Sequence, residues 1–120
     1  MKLIRLTSFR QRLFGLHVCD VLTDQQGVWI DPCMSIHTLM LPYPIDVLFL
    51  DKACQVLSCR HSLPPNRVAW HWGASSVVEL NSGYCRRHAD YAVRIHQAAM
   101  QSLFTADSHR HCDDNWTRKR

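Results

Sequence analysis

Apolar and polar residues alternate with a period of two over much of the first 80 positions, and the period lengthens to that of a helix only near the end. Lys2 to Leu6 alternates as a short strand would. The segment that follows carries Ser8 as an N-cap and Gly15 as a terminator, which predicts a short helix between them. After the turn-like Thr23-Asp24-Gln25-Gln26, Gly27 to Ile30 reads as a strand. Ile36 to Leu41 and Ile45 to Leu50 are two more, and Pro42-Tyr43-Pro44 between them predicts a hairpin, because neither proline can donate to a ladder. A symmetric turn there would set Met40 opposite Asp46 and His37 opposite Phe49.

The alternation continues through Cys54 to Leu63. Residues 62 to 75, with Pro64 and Pro65, read as a loop or edge segment, and Ser76 to Leu80 as a strand closed by Asn81-Ser82-Gly83. Ala92, Ile95, Ala99 and Leu103 then recur at helical spacing, widened by Tyr91, Met100 and Phe104, so an amphipathic helix is expected over about 86 to 104. The elements predict a mainly β fold with helices. Its core is a small antiparallel sheet or partial β-barrel, with one short early helix and one C-terminal amphipathic helix. Residues 1 to 104 form a single domain in this reading, and 105 to 120 form a polar tail without period, expected to be mobile.

Composition narrows the class. A chain of 120 residues with 47% hydrophobic and 20% charged positions can bury a core without metal or disulfides. The apolar runs are too short to span a bilayer, and Arg5, Arg10 and Arg12 interrupt the start where a signal peptide would be apolar, which predicts a cytoplasmic protein and no membrane partner. The six cysteines are scattered with no Cys-x-x-Cys pair, so reduced thiols are expected. The net charge of +4 is concentrated in Lys2, Arg5, Arg10 and Arg12 and in Arg118, Lys119 and Arg120. Such clusters suit nucleic acid or an acidic partner, but the acids in the middle of the chain leave no basic stripe, which favours solvated ends.

Several motifs taken in order carry more than any one alone. They are Arg12-x-x-Gly15-Leu16, the Gly27-x-Trp29-Ile30 strand, Pro32-Cys33-x-Ser35-Ile36-His37-Thr38 with Met40, Pro44-Ile45-Asp46-Val47-Leu48-Phe49-Leu50-Asp51, and Val77-Val78-Glu79-Leu80-x-x-Gly83. This order resembles the conserved uncharacterised bacterial and archaeal family known as domain of unknown function 192, over about residues 3 to 84. The resemblance implies a compact β-rich domain with a barrel-like core, and no reaction. Two departures stand out: His17 follows the Gly-Leu pair where Met is common, and the late helix and tail run past the family's usual end.

Candidate chemistry collects in the apolar run from Pro32 to Asp51. Cys33, His37 and Asp46 match the residue types of a nucleophile, base and orienting acid. In one strand, however, Cys33 and His37 lie about 13 Å apart, and the expected hairpin points His37 and Asp46 to opposite faces. A carboxylate at 46 must be paired, hydrogen-bonded or protonated, either as a structural acid accepting turn N–H groups or as a ligand contact in a pocket. Ser35, His37 and Asp46 are ligand-binding candidates on this basis. Arg67, Trp70 and Trp72 join them as a stacking surface for a base, sugar or peptide, against the simpler reading that the tryptophans cap the barrel end. Glu79 is expected to face solvent or to pair with Arg67.

Near-matches to metal ligands occur at Cys54, Cys59 and His61, at Cys85-x-x-His88 and at His109-x-His111-Cys112. None has a partner pair at zinc-motif spacing, so neither metal nor cofactor is expected. The functional expectation is a small binding or accessory module for a protein partner or small ligand. The alternatives are a pocket protein or enzyme using His37, Asp46 and Cys33, and nucleic-acid binding through the basic start and the Trp70 to Trp72 segment.

Overall fold

The computed structural model describes residues 1–6, 22–39 and 41–118, with side chains to 105. The early helix expected between Ser8 and Gly15, Arg10, Arg12, and the side chains of His109, His111 and Cys112 lie outside the described residues. Among the described residues seven strands are seen: β1 (Lys2–Leu6), β2 (Gln26–Ile30), β3 (Ser35–His37), β4 (Ile45–Leu50), β5 (Val56–Leu63), β6 (Val68–Trp70) and β7 (Ser76–Asn81). Helices α1 (Tyr84–Arg87) and α2 (Tyr91–Arg118) follow. Five strands form one sheet in the order β1-β2-β7-β4-β5, and β3 and β6 form a separate two-stranded ribbon. β1 and β2 run parallel while the other neighbours are antiparallel, so the sheet is mixed and open rather than a barrel.

Strand β4, between β7 and β5, is buried along its whole length. Its sequence is apolar on both faces because both are covered. Leu48 and Leu50 pack with Trp29, Val78, Leu80, Ile95 and Ala99 beneath α2. Ile45, Val47 and Phe49 pack on the other side with Val28, Val77 and the ribbon residues Ile36 and Ala69. Each large side chain so buried contributes about 1.5–3 kcal/mol.

The hairpin expected across Pro42-Tyr43-Pro44 does not form. β3 pairs with β6 instead, so His37 stands opposite Val68, and Phe49 stands opposite Val77 and Ser58. Thr38 provides the physical reason. Fully buried, it donates its hydroxyl to the Pro64 carbonyl at 2.7 Å and accepts the Arg67 N–H at 2.8 Å, while its backbone N–H donates to the Arg67 carbonyl at 2.8 Å. These bonds hand the chain after β3 to the 64–67 turn. Residues 68 to 70, expected within a loop or edge segment, thereby become a strand.

The late helix also differs from expectation. A short turn, α1, forms first, and the chain breaks near His88 before α2 begins at Tyr91. Backbone helix then continues to Arg118, through the segment expected as a tail. The buried stripe is Tyr91, Ile95, Ala98, Ala99 and Leu103. Phe104, expected within it, is 75% exposed, and Met100 and Ala92 are exposed as well.

Candidate functional site

Asp46 lies on the α-helical face of β4, fully buried. Its neighbours in register are split by a bulge, because Ile45 pairs with Leu63 while Val47 pairs with Arg60. The bulge frees the Ser62 N–H, which donates to Asp46 Oδ1 at 2.8 Å. Oδ1 also accepts the Gly83 N–H at 3.1 Å, and Oδ2 accepts the Cys85 N–H at 2.9 Å. Gly83 makes this possible with φ of 84°, a left-handed conformation that side chains resist. The carboxylate thus ties β4, β5 and the start of α1 together, with both oxygens engaged.

His37 lies across the sheet from Asp46, on the exposed side of the ribbon. Register places Ser35 beside Trp70 and His37 beside Val68, so Ser35, His37 and Trp70 do share one outward surface. Trp72 is 80% exposed beyond it, and Arg67 is exposed, its guanidinium donating to the Asn66 carbonyl at 3.3 Å. His71, between the two tryptophans, faces inward, packing against Phe49 and accepting the Gly73 N–H. Cys33 donates its thiol to the Ser35 carbonyl at 2.8 Å. No hydrogen bond links Cys33, His37 and Asp46 among the described residues, and the five-stranded sheet separates the acid from the ribbon. Replacing His37 by alanine is accordingly expected to change unfolding free energy by less than about 0.5 kcal/mol, measured in urea.

Among the metal near-matches, the structure sets Cys59 against Cys85 rather than against Cys54 or His61. A hydrogen bond between the two thiols holds Cys59 below its ordinary value and pushes Cys85 up, with burial adding to the second. Among the described residues no three potential ligands cluster as a metal site would require.

Glu79 corrects the expectation most sharply. Rather than facing solvent or pairing with Arg67, it is 2% exposed, between Val28 of β2 and Val47 of β4. Its Oε2 has no hydrogen-bond partner, and burial pushes its carboxyl up to about 8. Glu79 shares its face of β7 with Val77, and the ribbon residues Ile36 and Ala69 pack on that face, so the alternation has no solvent side here.

Among the described residues a polar cavity lies at the end of the main sheet, beside α2. About 230 Å³ in volume, it is lined by Arg5, Trp29, Asp31, Asp51, Lys52, Cys54, Ser75, Ser76 and Leu103. Parallel pairing of β1 with β2 places Arg5 directly beside Trp29. The guanidinium sits 5.0 Å from the indole centroid and donates to Asp31 Oδ2 at 2.7 Å. Asp51, just past β4, accepts the Ala53 and Gln55 N–H groups on Oδ1, both at 2.9 Å, which fixes the turn that carries Lys52 and Cys54. Burial, with Asp31 and Asp51 adding, pushes the Cys54 thiol up and keeps it protonated. Two donors remain: Arg5 Nε and Trp29 Nε1 are buried and have no acceptor. A wider groove of about 740 Å³ between the start of β1 and α2, lined by Lys2, Gln26 and Gln101 among others, has no such orphaned atom.

Comparison with known proteins places this geometry in a family. The model of DUF192, a domain of unknown function described as an uncharacterized ACR, matches residues 3–90. The chain belongs to the DUF192 family. A protein of unknown function from Novosphingobium aromaticivorans DSM 12444 shares the DUF192 fold with a TM-score of 0.63 and 20% identity, over 71% of this chain and 66% of that one. The chain therefore spans just under two thirds of that protein's length. A candidate transcription regulator from Sinorhizobium meliloti 1021 is similar at a TM-score of 0.63 and 18% identity, over 71% of each chain. Identities this low speak for the fold alone. No curated protein matches the chain.

Sequence reasoning finds Arg5 only as part of a charge cluster and does not single out Trp29, Asp31 or Asp51 as ligand contacts. The alternation from Lys2 to Leu6 does put Leu3 and Arg5 on one face, so an arginine on the buried side of a strand is the available signal. Among the described residues no helix is long and apolar enough to cross a membrane.

Proposed function

We propose that this DUF192 domain is a small-molecule-binding module and that its site is the Arg5–Trp29 cavity. The observation that carries the reading is the convergence of Arg5, Lys52, Asp31 and Asp51 from separate segments on one polar cavity that also has an apolar wall, Leu103. With room for roughly eight waters, the cavity suits one small organic molecule. Binding rather than covalent chemistry is favoured because the thiol in the wall, Cys54, is held protonated and so is a poor nucleophile.

Equilibrium dialysis against a small-molecule extract tests this, because the extract itself supplies the candidate compounds. The wild type is expected to retain at least one compound that Arg5→Gln, which removes the guanidinium from the cavity wall, does not retain. Thermal midpoints of both chains establish that each is folded. Identical retention by the two folded proteins would sink the proposal.

A second reading rests on the exposed Met34, Val68, Trp70 and Trp72, which give the ribbon an apolar outer surface suited to a protein partner or nucleic acid. It is an open surface rather than a cavity on which charged groups converge.

A further inference from the structure

Cys59 and Cys85 meet away from the cavity, and what they can do does not depend on it. Cys59 of β5 stands in register with Leu48 of β4, so it shares the face of the sheet on which Leu48, Cys85 and Ile95 pack. Asp46, two residues before Leu48, points to the same face. Its Oδ2 accepts the Cys85 N–H at 2.9 Å, and its Oδ1 accepts the Ser62 N–H of β5 at 2.8 Å. One carboxylate therefore anchors both the strand that carries Cys59 and the helix that carries Cys85. The Ser62 and Ser82 hydroxyls, bonded at 2.7 Å, join β5 to the turn before α1 a second time.

Within this frame Cys85 donates its thiol hydrogen bond to the Cys59 sulfur. That bond holds Cys59 below its ordinary value, outweighing burial and the Asp46 charge. Cys59 is also the half-buried member of the pair, whereas Cys85 is 4% exposed. Thiolate character and access thus coincide at Cys59, and these are the two conditions for attack on an electrophile. The other described thiols lack the arrangement. Cys54 is buried and pushed up by that burial, and Cys33 donates to the Ser35 carbonyl at 2.8 Å.

We infer that Cys59 and Cys85 form an oxidative modification site, a nucleophilic thiol with a resolving partner, whose co-substrate is a small hydroperoxide. The Cys59 thiolate attacks the terminal peroxide oxygen, the O–O bond breaks, and the leaving alkoxide, or hydroxide from hydrogen peroxide, takes up the proton that Cys59 released. Cys59 is then a sulfenic acid. The Cys85 sulfur attacks it, the S–S bond forms, the S–OH bond breaks, and hydroxide leaves with the Cys85 proton as water. Two thiols lose two electrons to become one disulfide, and the hydroperoxide is reduced to an alcohol or to water. Because Asp46 holds both segments, the resolving sulfur is beside Cys59 when the sulfenic acid forms, which favours closure over a second oxidation.

Equimolar hydrogen peroxide added to the reduced whole chain, followed by alkylation and peptide mass mapping, tests this. Cleavage after Lys52, Arg60, Arg67 and Arg86 puts Cys59 and Cys85 on separate peptides, and fragmentation distinguishes Cys59 from Cys54 on the same one. The expected main product is an intramolecular Cys59–Cys85 disulfide, at least about tenfold above any other pairing and reversed by dithiothreitol. In Cys85→Ser, dimedone is expected to label Cys59 as the trapped sulfenic acid, and in Cys59→Ser it is expected to leave Cys85 unlabelled. The wild-type product needs no variant, so it decides the pairing whether or not Cys85→Ser folds. Both cysteines recovered as alkylated thiols after peroxide, or either one joined mainly to a different cysteine, would overturn the proposal.

Discussion

Asp46→Ala is expected to destabilise the domain by about 3–5 kcal/mol, a large part of the 5–15 kcal/mol typical of a single domain. The carboxylate accepts N–H groups from Ser62, Gly83 and Cys85, and alanine removes the acceptor of all three. Those donors belong to β5, to the turn after β7 and to α1, so the loss unpins three segments at one point. Asp46→Asn retains one acceptor oxygen but aims an amide donor at a neighbouring N–H, and should cost about half as much. Urea unfolding measures both. A change below about 1 kcal/mol for the alanine variant would mean that the carboxylate does not hold these segments together.

Glu79→Gln is expected to remove most of the alkaline loss of stability. Burial raises the Glu79 carboxyl from its ordinary 4.5 to about 8, so between those values the folded chain holds a proton that the unfolded chain releases. Stability therefore falls as pH rises through that window and levels off above about pH 8, by at most about 5 kcal/mol. The neutral form contributes fully only below about pH 4.5. Glutamine keeps the shape and cannot ionise, so its unfolding free energy should stay flat over this range. It should come within about 1 kcal/mol of wild type at pH 5 and exceed it by a few kcal/mol at pH 9. Parallel slopes for the two chains would contradict a buried, neutral Glu79.

What the sequence reveals here depends on how local the determining contacts are. β4 is legible because a strand covered on both faces must be apolar throughout, and Asp46 stands out against that run as an acid that needs partners. The α2 stripe is legible through Ile95, Ala99 and Leu103, although spacing alone does not distinguish Phe104 from a core residue. The ribbon is hidden because β3 and β6 pair across some thirty intervening residues, and the turn chemistry of Pro42-Tyr43-Pro44 suggests a nearer partner. Thr38, buried and fully bonded, decides that pairing, and nothing in its immediate neighbours announces it.

Glu79 escapes a local reading for a related reason. Alternation gives solvent exposure only where one face of the sheet is open, and the packing of the ribbon on this face is not a local property. The cavity is the extreme case: Arg5, Trp29, Asp51, Ser75 and Leu103 come from five separate segments. Each is ordinary in its own stretch, and only the fold brings an arginine, an indole and a carboxylate to one space.

The indole N–H resonances of the four tryptophans test the central claim most directly, since Trp29 lines the cavity while Trp70 and Trp72 lie on the exposed ribbon. In a ¹H–¹⁵N spectrum, assigned with Trp29→Phe, addition of the compound retained in dialysis is expected to shift the Trp29 indole resonance saturably and to leave those of Trp70 and Trp72 in place. A Trp29 resonance that stays fixed while the compound binds, with movement confined to Trp70 and Trp72, would contradict the assignment of the site.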